Sequence, residues 1–241
     1  MKAFILSLST CVSLATTAFA QNNTVTLTQI GTAQEASVSQ AGSKLTATVT
    51  QEGADQNAII SQKGFGYSEV IISQGQNTAD NQATITQVSG GAGGSYGVIS
   101  QVNASGNKAT ITQTVSTNGG DNFATITQGS SIGVVLAGAA GATSTNNQAT
   151  ITIEGSNNRS RILQVGDNNS LTTSQYGEGN LVKGVLGNPA GTNPEEATQL
   201  GVGNSLSVVQ SSPLGVSFGT NTVNVYQSGM SNVGTVNQTN Q

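Results

Sequence analysis

A glutamine returns every eleven residues near the start of this chain, at Gln29, Gln40, Gln51 and Gln62, and each is followed two residues later by a glycine. So short and fixed a period restricts a chain to stacked, near-identical units. With longer steps the series continues through Gln74, Gln87, Gln101, Gln113, Gln128, Gln164, Gln175, Gln199, Gln210, Gln227 and Gln238. The approach to each glutamine repeats as well. NxATITQ stands at residues 81–87, 107–113 and 122–128, and a fourth copy, 147–153, ends in isoleucine. Two positions before the glutamine is usually Ile, Val or Leu, and four before is usually Ala, Val or Leu. Six before is often asparagine, at Asn23, Asn81, Asn107, Asn122, Asn158, Asn169, Asn204, Asn221 and Asn232, and Asn147 and Asn180 hold the same place before Ile153 and Leu186.

Strand side chains alternate faces with period two, so Asn, Ala, Ile and Gln share one face and the intervening threonines take the other. Each unit therefore reads as a short strand followed by a Gly/Asn/Ser turn. Two such half-coils close one rung of an all-β solenoid. With the degenerate units ending at Ala139, Ile153 and Leu186, eighteen half-coils are expected, or nine rungs. Loop insertions are expected near 90–94, 129–134, 187–196 and 211–220, within a single body over 21–241. Charges should avoid a buried face, and of the seventeen charged residues after Gln21 only Glu195 falls on an inward position.

The first twenty residues read as a secretory signal peptide, with Lys2, an apolar run, and Ala18-Phe19-Ala20 as a small-x-small cleavage site. No later stretch approaches the roughly 20 apolar residues that span a bilayer, so no integral membrane segment is expected in the mature chain. The single cysteine, Cys11, lies inside the signal, and the chain has no histidine or tryptophan. These absences remove Cys-His and Ser-His-Asp catalysis. The acidic pairs Glu52/Asp55 and Glu195/Glu196 read as solvated turn charges, and no calcium-loop pattern is present. No enzyme activity, cofactor or metal is expected. Without Lys2 the charge is −5, from six basic and eleven acidic residues spread along the chain, which gives no nucleic-acid footprint.

Inward amides are costly unless partnered. In a cross-β stack each glutamine bonds its counterparts above and below, and the ladder that satisfies the backbone satisfies the side chains. A soluble solenoid needs capping repeats. Here the first unit, 23–29, and the last, 232–238, keep the inward pattern without charge or proline. Head-to-tail polymerisation of the chain with itself is the expectation, as a heterologous contact that does not close. Its carriers are the Asn and Gln positions named above.

The unit Nx(A/V)x(I/V)xQxG, clearest at 158–166, 169–177 and 23–31, resembles the curlin repeat of curli subunits, the secreted bacterial functional amyloids. The resemblance covers nearly the whole mature chain. It implies export through an outer-membrane secretion pore, nucleated assembly at the cell surface with a nucleator subunit, and roles in biofilm matrix and adhesion. The chain differs in having more half-coils and in entering its first repeat without the Gly/Asn-rich segment the family uses for pore recognition. Its last repeat is neither basic nor divergent, which favours the bulk subunit over the nucleator. The rival reading is a monomeric binding module on the same scaffold. The outward pairs Thr26/Thr28, Thr48/Thr50, Thr84/Thr86, Thr110/Thr112, Thr125/Thr127 and Thr150/Thr152 resemble the TxT rows of ice-binding proteins, and a carbohydrate or surface adhesin is the other form of that rival.

Overall fold

The computed structural model describes residues 22–75, 78–90, 93–115, 120–129, 144–184, 196–212 and 221–239. The segment expected to be a signal peptide, with Cys11, lies outside them, as do residues 91–92, 130–143, 185–195 and 213–220, which take in part or most of each expected insertion. The described strands are β1 (Thr24–Thr32), β2 (Glu35–Ala54), β3 (Asn57–Gly75), β4 (Gln82–Ser89), β5 (Ser95–Val102), β6 (Ala104–Ser105), β7 (Lys108–Val115), β8 (Asn122–Gln128) and β9 (Ser144–Thr145). They continue with β10 (Gln148–Ser156), β11 (Arg159–Asp167), β12 (Ser170–Glu178), β13 (Leu181–Lys183), β14 (Ala197–Val202), β15 (Ser205–Ser211), β16 (Thr222–Asn224), β17 (Tyr226–Met230) and β18 (Val233–Thr239). All eighteen join one curled sheet with parallel pairing throughout, and the molecule is a β-solenoid.

The eleven-residue spacing has a direct geometric meaning. Two half-coils make a turn, so a residue meets the one twenty-two positions on: Gln29 pairs with Gln51, and Gln40 with Gln62. Two stacks result. The first runs β1, the second half of β2, the second half of β3, β5, β8, β11, β13 with β14, and β16 with β17. The second runs the first halves of β2 and β3, then β4, β7, β10, β12, β15 and β18. The short β6 and β9 belong to the arc that joins them.

Among the described residues each stack thus holds eight half-coils, one fewer than expected, and the difference has a physical cause. Leu181 and Val182 pair with Arg159 and Ser160, while Ala197 to Val202 pair with Ile162 to Asp167. The half-coils expected to end at Leu186 and at Gln199 are therefore one half-coil, interrupted by an insertion. Its inward positions are Asn180, Val182, Ala197 and Gln199, all buried. Glu195 and Leu186 lie outside the described residues, and the ladder is complete without them. The half-coil expected at Ala139 also lies outside them, and β8 and β10 already occupy consecutive places in the two stacks.

Between the stacks lies the core, where inward Ala and Ile interleave. Ile60, Ile72, Ile85, Ile99, Ile111 and Ile126 are fully enclosed, each worth roughly 1.5–3 kcal/mol of burial. Among the described residues no Asp, Glu, Lys or Arg is buried. The arcs are made by two devices. One residue before the asparagine position the backbone turns left-handed, at Asp80, Asn146, Asn157 and Asn168, residue types that tolerate αL. Where the arc begins, glycine is needed for space: a Cβ on Gly42 would overlap the carbonyl oxygen of Gly64, and one on Gly155 that of Gly177.

Candidate functional site: amide ladders and open ends

Every glutamine of the first stack but the last donates from Nε2 to Oε1 of the next. The bonds Gln29 to Gln51, Gln51 to Gln74, Gln74 to Gln101, Gln101 to Gln128, Gln128 to Gln164, Gln164 to Gln199 and Gln199 to Gln227 span 2.7–3.0 Å. The ladder crosses eight rungs without a gap. The same Nε2 often reaches carbonyl oxygens of the second stack. Gln128, for instance, donates to Lys108 at 3.0 Å and Asn147 at 3.2 Å. The glutamines therefore fasten rung to rung and stack to stack at once.

In the second stack the ladder runs Gln40, Gln62, Gln87 and Gln113, with bonds of 2.8, 3.1 and 2.9 Å. It resumes at Gln175, Gln210 and Gln238, with bonds of 3.0 and 3.2 Å. Between the two segments stands Ile153, paired with Gln113 on one side and Gln175 on the other. The cost is visible: Oε1 of Gln175 is buried with no hydrogen-bond partner.

The asparagines add a ladder to the backbone beside their side-chain bonds, which join Asn180 to Asn158 and Asn204 to Asn169. Their Oδ1 accepts the backbone N–H of the next rung, as Asn107 to Asn81 (3.0 Å), Asn147 to Asn107 (2.7 Å) and Asn169 to Asn147 (2.7 Å). In the first stack Asn158 donates its N–H to Asn122, and Asn180 to Asn158. Their Nδ2 caps carbonyls in the arc: Asn158 reaches Gly177 and Asn204 reaches Gly229. Toward the C-terminus, Asn221 bonds the Asn180 side chain and Asn232 that of Asn204, at 3.0 and 2.9 Å. At the opposite end Asn23 accepts from the Leu45 N–H.

Three sets of inward polar residues were absent from the expected series. Gln34 and Gln56 hold the asparagine position in the first two rungs of the second stack, and both are buried. Gln34 caps the Ile30 and Gly53 carbonyls, and Gln56 that of Glu52 and the Thr78 hydroxyl. The signal was present, since they precede Gln40 and Gln62 by six. Ser160 and Thr173, at inward apolar offsets, bond each other across the core at 2.8 Å. Ser68 and Ser95 take the asparagine position of the third and fourth rungs.

Among the described residues nothing caps either end of the stack. Val25, Leu27 and Val236, inward by pattern, are only partly buried, and Met230 and Val233 are largely exposed. Neither 22–34 nor 221–239 contains a charged residue. The inward set of β1, Asn23-Val25-Leu27-Gln29, has the same offsets as Asn221-Val223-Val225-Gln227 at the other end of the first stack. The TxT pairs divide between faces: Thr84/Thr86, Thr110/Thr112 and Thr150/Thr152 align in register on the second stack, and the other three lie on the first. No group of metal-ligating side chains is found among the described residues.

Parallel rungs, internal amide ladders and ends that continue the repeat define a cross-β solenoid of the kind whose units are interchangeable. The sequence profile of the curlin associated repeat matches residues 20–53, which hold the first three half-coils, so this part of the chain carries the curlin repeat. No curated protein matches the chain.

Proposed function

We propose that the protein is a secreted structural subunit that assembles head-to-tail into extracellular, curli-like amyloid fibres serving biofilm matrix and adhesion. The observation that carries this reading is the phase of the two ends. With eight described half-coils in each stack, β16 and β17 present the first-stack pattern that β1 of a second copy continues. Likewise β18 presents the second-stack pattern that the first half of β2 continues. A half-exposed Val25, Leu27 and Val236 become buried in that contact, and its parallel pairing extends the sheet. The proposal includes the bulk-subunit role, export through an outer-membrane pore, a nucleator partner, and the absence of catalytic activity. The curlin-repeat match at residues 20–53, the uncharged ends and the lack of histidine support it.

The test is dilution of chain 21–241 from denaturant, followed by thioflavin fluorescence, electron microscopy and fibre diffraction. Seeded fibres with reflections near ~4.8 and ~10 Å are expected. Replacing Gln29 and Gln238 together should slow elongation more than replacing Gln101 and Gln128 in folded, seed-competent chains. A soluble monomer persisting for days overturns the reading in favour of a monomeric binding module.

A further inference from the structure

The asparagine ladder of the first stack is interrupted where the sequence reads Asn23, Leu45, Ser68, Ser95, Asn122. Asparagine at this offset caps an arc carbonyl and receives the next rung's N–H, as Asn122 does with Gly155 and Asn158. Serine is too short for both. The hydroxyls of Ser68 and Ser95, each 3% exposed, have no hydrogen-bond partner. The same arc carries an extra residue, because Gln62 and Gln74 are twelve apart. The register slips between Ser43 and Leu45, and Tyr67 is pushed out to 76% exposure.

A groove of about 690 Å³ opens there, lined by Tyr67, Tyr96, Phe123 and both serines, within the size range of small-ligand sites. Its aromatic wall is ordered. Tyr96 and Phe123 stack at 4.8 Å with 16° between planes, the Arg161 guanidinium lies 4.7 Å from the Phe123 centroid, and Lys44 Nζ sits 4.6 Å from that of Tyr67.

We propose that this groove binds a neutral pyranose glycan. Phe123 is covered by Tyr96 and the Arg161 guanidinium, but Lys44 takes only one face of the exposed Tyr67 ring, and its other face matches the C–H face of a sugar ring. Two buried hydroxyls without a protein partner favour a ligand rich in donors and acceptors over an apolar one, which would leave them unsatisfied. Glu69 and Asp121 on the rim offset the cations and disfavour a phosphate or sulfate ligand. The groove lies on the side of the solenoid, across its second to fifth rungs, so it stays open whether or not the ends join. Its test is therefore independent of fibre formation.

Saturation-transfer NMR of the full chain is run with three neutral probes, maltohexaose, cellohexaose and chitohexaose, and with heparin as an anionic control. Transfer to the ring protons of at least one neutral probe is expected. Tyr67→Ala should weaken that binding by about tenfold or more, and Ser95→Val should weaken it as well, while Thr84→Ala on the other stack leaves it unchanged. Circular dichroism should match wild type in all three variants. Tyr67 is exposed, so its replacement tests the groove without loading the core. No transfer to any neutral probe, transfer undiminished by Tyr67→Ala, or a preference for heparin overturns the proposal.

Discussion

The two glutamine ladders lie side by side in one molecule, one unbroken over eight rungs and the other interrupted at Ile153. The difference shows what an inward amide contributes. Where the ladder continues, each oxygen has a donor below it and each nitrogen reaches both the next rung and the opposite stack. Where isoleucine intervenes, the apolar burial of Ile153 (1% exposed) is gained and Gln175 Oε1 is left without a partner. The two effects are of similar size, roughly 1.5–3 kcal/mol for the burial and about 1–3 kcal/mol for the orphaned acceptor. A solenoid of this kind therefore tolerates an isolated gap in one ladder, provided that the backbone pairing around it is intact.

Substitutions sharpen this comparison, and the largest effect belongs to the unbroken side. Gln128→Leu removes the donor to Gln164 and both backbone bonds to the second stack, and should cost about 2–4 kcal/mol, read as a lower denaturant midpoint by circular dichroism. A midpoint equal to wild type would mean that the ladder is not a source of stability. Ser160→Ala strands the Thr173 hydroxyl and should cost about 1–2 kcal/mol, whereas Ser160→Ala with Thr173→Val should return close to wild type. Additive losses in that pair would show that the hydroxyls act separately.

Ile153→Gln restores continuity to the broken ladder while giving up apolar burial, so its net effect should lie within about 1 kcal/mol of zero. A gain or loss well outside that window would show which contribution dominates. The smallest change is expected at the half-buried Glu196, whose carboxyl is held above its ordinary range by that partial desolvation, partly offset by Arg161. The folded state then binds its proton more tightly than the unfolded state, so this group's contribution to stability falls as pH rises through that raised pKa. Glu196→Gln should raise the midpoint at neutral pH and have no effect well below the ordinary carboxylate range. The opposite pH order would remove burial as the cause.

Much of the architecture was legible because the solenoid repeats one local rule. The inward offsets, the partner at twenty-two residues and the exclusion of charge from the core all follow from period two within a strand and the turn glycines between strands. Leu186 and Gln199 misled because an insertion inside a half-coil looks, along the chain, like an insertion between two. Only the pairing of Val182 with Ser160 and of Ala197 with Ile162 separates these cases. The asparagine bonds to backbone N–H were hidden for another reason: the side chain is one methylene shorter than glutamine, and it sits beside a left-handed turn that brings the next rung's N–H within reach. Leu163 and Val165 occupy outward offsets yet are buried, so part of one outer face is covered, which strand periodicity cannot foretell. The groove escaped notice because its cause is a substitution in an anchor position rather than a motif.

All the glutamine-to-glutamine bonds described run the same way, from Nε2 on the N-terminal side to Oε1 on the C-terminal side. The sense is set by the extra bonds of each Nε2 to carbonyl oxygens, which an inverted amide would turn into oxygen facing oxygen. A row of such groups is an arrow, and the molecule carries two of them pointing in parallel. Two copies meeting with their arrows opposed would set like groups face to face, so any line of these subunits inherits a single compass direction, and its leading and trailing tips are chemically different surfaces.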